Sequence, residues 1–153
     1  MIYIKLSNTD MVSIIDNEIF EVISKRKWQM NQGGYACCSS SKGNGKRGVN
    51  LLAHWVLNAK KGQFIDHING NKLDNRKQNL RFCTLKQNGG NRTCHTLNKS
   101  GYKGVTLDKH GKKWQVYVAG KYGGVFKSAK NAAKKYNELA IKEWGDFARL
   151  NEV

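Results

Sequence analysis

The sequence predicts an α+β fold of two successive short-stranded units, and three observations predict it. Residues 64–83 hold two short apolar runs around a turn rich in Asn and Gly, and Thr84-Leu85-Lys86-Gln87 then opens a helix as a capping box. Residues 101–153 lay out three short strands on tight turns, followed by one long stretch with apolar residues at helical spacing. No apolar run approaches membrane-spanning length, and the 153 residues include no proline.

The elements follow in order. Residues 2–6 and 11–15 read as strands joined by the polar turn Asn8-Thr9-Asp10. Asp16 opens a helix whose apolar face is Ile19, Phe20, Val22 and Ile23. Lys25-Arg26-Lys27 closes it at the negative end of the helix dipole. Residues 28–30 and 35–38 read as a hairpin around Gly33-Gly34. Residues 39–48 are polar and glycine-rich and read as a loop, whose Lys42, Lys46 and Arg47 either touch phosphates or are simply solvated. Residues 49–58 read as a strand running into a helix. His54 there is either a second imidazole near a phosphate or a half-buried residue holding its segment in place; the second reading is preferred.

Charge narrows the partner. Twenty-seven Lys and Arg against 11 Asp and Glu give a formal net charge of +16. The excess is +3 over residues 1–50, +7 over 51–100 and +6 over 101–153, so a whole surface is basic rather than a tail. Nucleic acid is the expected partner, because released counterions drive such binding. The N-terminal residues lack the basic head, apolar centre and small-residue site of a secretory signal, so a cytoplasmic protein with reduced thiols is expected. Cys37, Cys38, Cys83 and Cys94 have no C-x-x-C spacing and read as free thiols rather than zinc ligands.

The run from Asp66 to Arg81 carries the chemistry. It offers the pair Asp66-His67, the turn Asn69-Gly70-Asn71, and then Asn79-Leu80-Arg81, with Asn88 in the helix beyond. A carboxylate and an amide oxygen can hold a hard divalent cation. An imidazole can take a proton near pH 7. Adjacent strand residues point to opposite faces, so a bend must bring Asp66 and His67 to one site.

This run resembles the HNH endonuclease motif of phage and intron-encoded homing endonucleases. The resemblance implies a ββα-metal arrangement, with Asp66 as metal ligand and His67 as general base. It implies that Asn79 orients the histidine and braces the loop, and that Asn88 is the second ligand of a single Mg²⁺ or Mn²⁺. Asn91 is the weaker alternative to Asn88, and Asn71 and Asn75 read as turn-formers. Arg76 and Arg81 are expected on DNA.

In the C-terminal stretch, residues 101–107, 114–118 and 122–126 read as a meander, with Asp108 to Lys112 as a turn. Ser128 caps a helix carrying Ala129, Ala132, Ala133, Tyr136, Leu139, Ala140 and Trp144, and Gly145 ends it. That stripe is expected to cover a sheet face made of Val105, Trp114, Val116, Val118 and Phe126. The other face would present Thr106, Gln115, Tyr117 and Tyr122, ringed by Lys103, Lys112, Lys113 and Lys121. A β-sheet can read a major groove this way. Tyr102-Lys103-Gly104-Val105, Trp114, Gly124 with Phe126, Ala132-Ala133 with Tyr136, and residues 145–151 together resemble the plant Apetala/ethylene-response DNA-binding domain. Relatives of that domain occur fused to HNH nucleases in phages. Its reading-face arginines are replaced here by Lys103, Thr106, Asp108, Tyr117 and Ala119, so much of the expected contact is to phosphate.

The layout expected is an N-terminal α+β segment at 1–50 packing with the nuclease, a ββα-metal region at 51–91, a linker at 92–100 and a DNA-binding module at 101–153. The function expected is site-directed cleavage of double-stranded DNA by a monomer or weak dimer, with no membrane and no protein partner implied. A non-catalytic DNA-binding regulator is the first rival and an RNA-binding protein the second, although no single-strand stacking signature occurs.

Overall fold

The computed structural model describes the backbone of residues 1–41 and 47–153. Lys42 and Lys46, and the side chain of Arg47, lie outside what it describes, so the phosphate reading of that loop goes no further. The chain divides into two compact units, Met1–Cys83 and Thr84–Val153.

The first unit is built from hairpins. β1 (Ile2–Lys5) pairs antiparallel with β2 (Val12–Ile15), in the register Ile2 to Ile15. A 3₁₀ turn (Asn17–Ile19) leads into the short helix α1 (Phe20–Ser24). The amphipathic reading holds for Ile23, which is buried; Phe20 and Val22 stay exposed. β3 (Gln29–Met30), β4 (Ala36–Ser41) and β5 (Arg47–Leu51) form an antiparallel sheet in that order. Both ends of the expected loop at 39–48 are therefore strand: Ser39 pairs with Val49 and Ser41 with Arg47. Polar composition misled there, because a pleated strand tolerates serines on its outer face.

Helix α2 (Leu52–Val56) follows, then β6 (Phe64–His67), a 3₁₀ turn (Lys77–Asn79) and β7 (Leu80–Cys83). β6 and β7 pair antiparallel, setting Asp66 opposite Arg81 and His67 opposite Leu80. One core binds these pieces: Leu6, Ile15, Ile23, Trp28, Cys38, Leu52, Val56, Leu73 and Leu80 pack in a single buried cluster. The N-terminal hairpin thus supports the β6–β7 loop directly. Ile14 donates its N–H to the Leu73 carbonyl at 2.8 Å, and Asn75 donates its own to the Ile14 carbonyl at 2.8 Å.

The second unit opens with α3 (Leu85–Gly90), and its capping box forms as expected: the Thr84 hydroxyl accepts from the Gln87 N–H and the Gln87 side chain accepts from the Thr84 N–H. The sequence layout had assigned this helix to the nuclease region. Residues 92–100, expected to be a linker, belong to the same unit, where Asn98 and Ser100 bond the Tyr102 and Val105 carbonyls. β8 (Val105–Leu107), β9 (Trp114–Val118) and β10 (Lys121–Phe126) make an antiparallel meander with β9 central. Its first strand is shorter than expected, because Gly101 and Gly104 adopt positive φ. α4 (Ala129–Trp144) ends at Gly145 and lays Ala132, Ala133, Tyr136 and Ala140 on Val105, Val116 and Val118. Gly104 is required: a Cβ there would lie 2.2 Å from Cδ2 of Tyr136. No helix among the described residues is long and apolar enough to cross a membrane.

Candidate functional site

The β6–β7 hairpin buries its chemistry. Asp66 is 4% exposed and His67 5% exposed, although neighbours on a strand start out on opposite faces. Each is enclosed by a different partner. The Asp66 Oδ2 accepts from Arg81, at 2.9 Å from Nε and 2.8 Å from a terminal nitrogen. The cross-strand register supplies that pair, since Arg81 stands directly opposite.

His67 is held from the loop. Its Nε2 lies 3.2 Å from Asn75 Oδ1, while Asn75 Nδ2 donates to Ser13 Oγ at 2.8 Å and Ser13 donates to the Leu73 carbonyl at 2.9 Å. With its amide nitrogen committed to Ser13, Asn75 presents only an acceptor to the ring. Nε2 is therefore the donor, and the lone pair of the neutral imidazole sits on Nδ1. Burial pulls the His67 pKa below its ordinary value; the Asn75 bond and the Asp66 and Asp74 carboxylates oppose that without reversing it. The ring is accordingly neutral, and a base, at physiological pH. Tyr35 flanks it with ring centres 5.9 Å apart.

The loop has its own frame. Asn79 Oδ1 accepts from the Asn69 N–H at 3.0 Å and its Nδ2 donates to the Asp74 carbonyl at 2.8 Å. Asp74 takes both arms of Arg76 at 2.7 Å and also the Asn69 amide. The Arg76 guanidinium holds the Asp74 carboxyl below the usual carboxylate range.

Asn79 bonds the Asn69 N–H and the Asp74 carbonyl, and the side chain bonded to the His67 ring is Asn75, which the sequence assigned to the turn. Nothing in its spacing separates it from an ordinary turn-former. Ser13 did leave a trace: it takes an inward position in β2, where the alternation calls for an apolar residue. Arg76 and Arg81, expected on DNA, are both engaged by carboxylates within the hairpin.

Metal chemistry can be tested on the donors. Among the described residues no three of His, Cys, Asp and Glu converge as a cluster. Zinc, which takes three or four nitrogen and sulfur ligands, does not fit. A hard cation of the Mg²⁺ kind needs only one or two carboxylates, with water and phosphate oxygens completing its shell, and Asp66 supplies one. A cation at Asp66 must displace or share the Arg81 guanidinium. Asn88 lies half-buried on α3, within the second unit. The cysteines stay free, and burial raises the pKa of the Cys37 and Cys83 thiols.

In the second unit, Thr106, Tyr117 and Tyr122 are exposed on the sheet face away from α4, and the two tyrosine rings stand 5.6 Å apart. Gln115, paired with Thr106 in register, is half-buried on that face. Lys112 and Lys113 are exposed in the β8–β9 turn, their N–H groups held by Asp108. Two lysines differ from expectation. Lys121 pairs with Glu143 of α4 at 3.0 Å. Lys103 is half-buried, its ammonium over the Trp144 ring at 5.4 Å, and burial lowers its pKa to about 8.

Residues 59–89, the stretch that contains Asp66, His67, Asn75, Asn79 and Asn88, match an HNH endonuclease family. The match is confined to that stretch. Its relatives agree. The uncharacterized HNH endonuclease L560 of Acanthamoeba polyphaga mimivirus is 27% identical over 96% of this chain and 88% of its own length. A second mimivirus protein, the uncharacterized HNH endonuclease L245, is 34% identical over 69% of this chain, which spans 31% of that relative. Protein 3.8 of Escherichia phage T7 is 40% identical over 36% of this chain and 46% of its own length. No solved structure matches the chain. The HNH match points to DNA as substrate and to a divalent metal ion as cofactor.

Proposed function

We propose that this HNH protein is a site-directed DNA endonuclease of the homing type, which hydrolyses a phosphodiester with His67 as general base. The observation that carries the reading is the bond from His67 to Asn75: it fixes a buried, neutral imidazole in one tautomer, beside a buried carboxylate. Nδ1 of His67 takes the proton of the attacking water. Asp66, with Asn88 from α3, would hold one Mg²⁺ or Mn²⁺, which when bound stabilises charge on the leaving oxygen. Arg81, which pairs with Asp66 at 2.8 Å, would be available to the phosphate if Asp66 held a cation instead.

The homing assignment is supported by the loop resemblance and by the viral and phage sources of the relatives. The reading places the protein in the cytoplasm of the cell that houses its DNA. The second unit would anchor DNA, in the manner of the Apetala/ethylene-response domain, with Thr106, Gln115, Tyr117 and Tyr122 toward the groove and Lys112 and Lys113 on phosphates. A non-catalytic DNA-binding regulator is the second reading, and the Asp66–Arg81 pair favours it, because it leaves the carboxylate already neutralised. Supercoiled plasmid carrying the flanking genomic region separates the two. Mg²⁺-dependent relaxation that EDTA abolishes supports the nuclease; tight binding without cleavage supports the regulator.

A further inference from the structure

A cavity of about 380 Å³ in the second unit has no role in the reading above. It is lined by Lys86, Arg92 and Lys103, and by Tyr136 and Trp144. Two of those side chains carry polar atoms that are buried without a partner, the Tyr136 hydroxyl and the Trp144 indole N–H. Tyr136 is 1% exposed. Buried donors without acceptors are rare and disfavour the folded state. Here they stand among cations that repel one another: Arg149 and Arg92 both push against the Lys103 ammonium. Glu143, next to Trp144 in α4, is engaged by Lys86 at 2.7 Å and by Lys121 at 3.0 Å. Lys103 donates to the Gly90 carbonyl, and the lining residues include three cations and no carboxylate.

We propose that this cavity binds a phosphate monoester, the terminal phosphate of a nucleic-acid strand. The inference rests on the nucleic-acid reading for its source, but not on catalysis. A monoester carries nearly two charges at neutral pH and three acceptor oxygens, whereas a backbone diester carries one charge. Hydrolysis of a phosphodiester leaves one hydroxyl end and one phosphate end, so the pocket would hold a cleaved or pre-nicked strand.

The test uses the full chain in EDTA, which removes cleavage, and titrates it with a short single-stranded oligonucleotide ending in a 5′-phosphate, a 3′-phosphate or hydroxyls only. One phosphorylated form should bind roughly tenfold tighter than the hydroxyl form, the scale of one charged hydrogen bond. That preference should shrink toward unity in Tyr136→Phe, which removes only an unpartnered hydroxyl and should melt no lower than the wild type. It should shrink equally in Arg92→Gln, an exposed position. Equal binding of all three oligonucleotides overturns the proposal, as does a preference that survives both changes. Inorganic phosphate and a nucleoside monophosphate are added as competitors. If phosphate competes as well as the phosphorylated oligonucleotide, the strand-end assignment is overturned. Failure here leaves the plasmid assay untouched, and the reverse also holds.

Discussion

The two units bury polar groups in opposite ways. In the first, Ser13, Asp66, His67, Asp74, Asn75 and Asn79 are all buried, and each is bonded to another side chain or to a carbonyl. In the second, the buried aromatic side chains beneath Lys103 keep a hydroxyl and an indole N–H without partners. A fully satisfied network orients its members before any ligand arrives. A site with unmet donors is complete only when something enters it. The first arrangement suits a base that must be aimed in advance, and the second suits a pocket that recognises.

The largest effect that would break this contrast lies at His67. In His67→Ala the plasmid cleavage rate should fall by about 10²–10⁴, the usual contribution of a general base. DNA affinity in EDTA should stay within about twofold, because phosphate contacts elsewhere supply it. Cleavage at the wild-type rate would remove His67 from the mechanism.

Arg81→Met should be next. It leaves Asp66 buried without its guanidinium, at a loss of about 3 kcal/mol in urea unfolding. Added Mg²⁺ should restore part of that loss if Asp66 is a cation ligand; a melt indifferent to Mg²⁺ would say it is not.

Asn75→Ala should lower stability by about 1–3 kcal/mol, through the Ser13 and His67 groups it leaves unmet. Its sharper signature is in pH. Folded His67 holds its proton less tightly than the unfolded side chain at 6.5. It therefore favours folding above that pH and opposes it as pH falls below. The cleavage rate should rise with pH, with its midpoint below 6.5. Losing the Asn75 bond, which raises the pKa, should shift that rise to still lower pH. A rise that does not move would make Asn75 a loop residue only.

The smallest effect belongs to the exposed sheet. Lys112 and Lys113 changed together to Ala should reduce the slope of log affinity against log salt by up to about 2, near 0.9 per phosphate contacted. Gln115 and Tyr117 changed instead should relax sequence preference at constant slope. If both pairs behaved alike, a different face meets DNA.

Local pattern carried much of this fold into the sequence. The capping box at Thr84, the alternation of residues 114–118 and the alanine-rich stripe of α4 are read from neighbouring residues, and the structure keeps all three. What sequence hid was long-range or context-dependent. Residues 39–41 looked like loop because serine and glycine dominate the stretch, yet pairing with 47–49 makes them strand. Lys103 looked like a surface cation until Trp144, 41 positions later, came to lie beneath its ammonium. The Asp66-His67 pair was legible as chemistry, but the histidine's tautomer depends on Ser13, which is 62 positions from Asn75.

That last separation has a consequence for timing. Closing so long a loop is entropically slow compared with forming a local hairpin. β6 and β7 can zip together on their own, yet the imidazole has its fixed tautomer only once the N-terminal strand has docked against the loop. A half-folded chain, still growing or recently unfolded, presents the motif without an aimed base. On the proposed reading, the net charge of +16 would draw the chain to DNA before its base is aimed, so cutting would arrive after sticking.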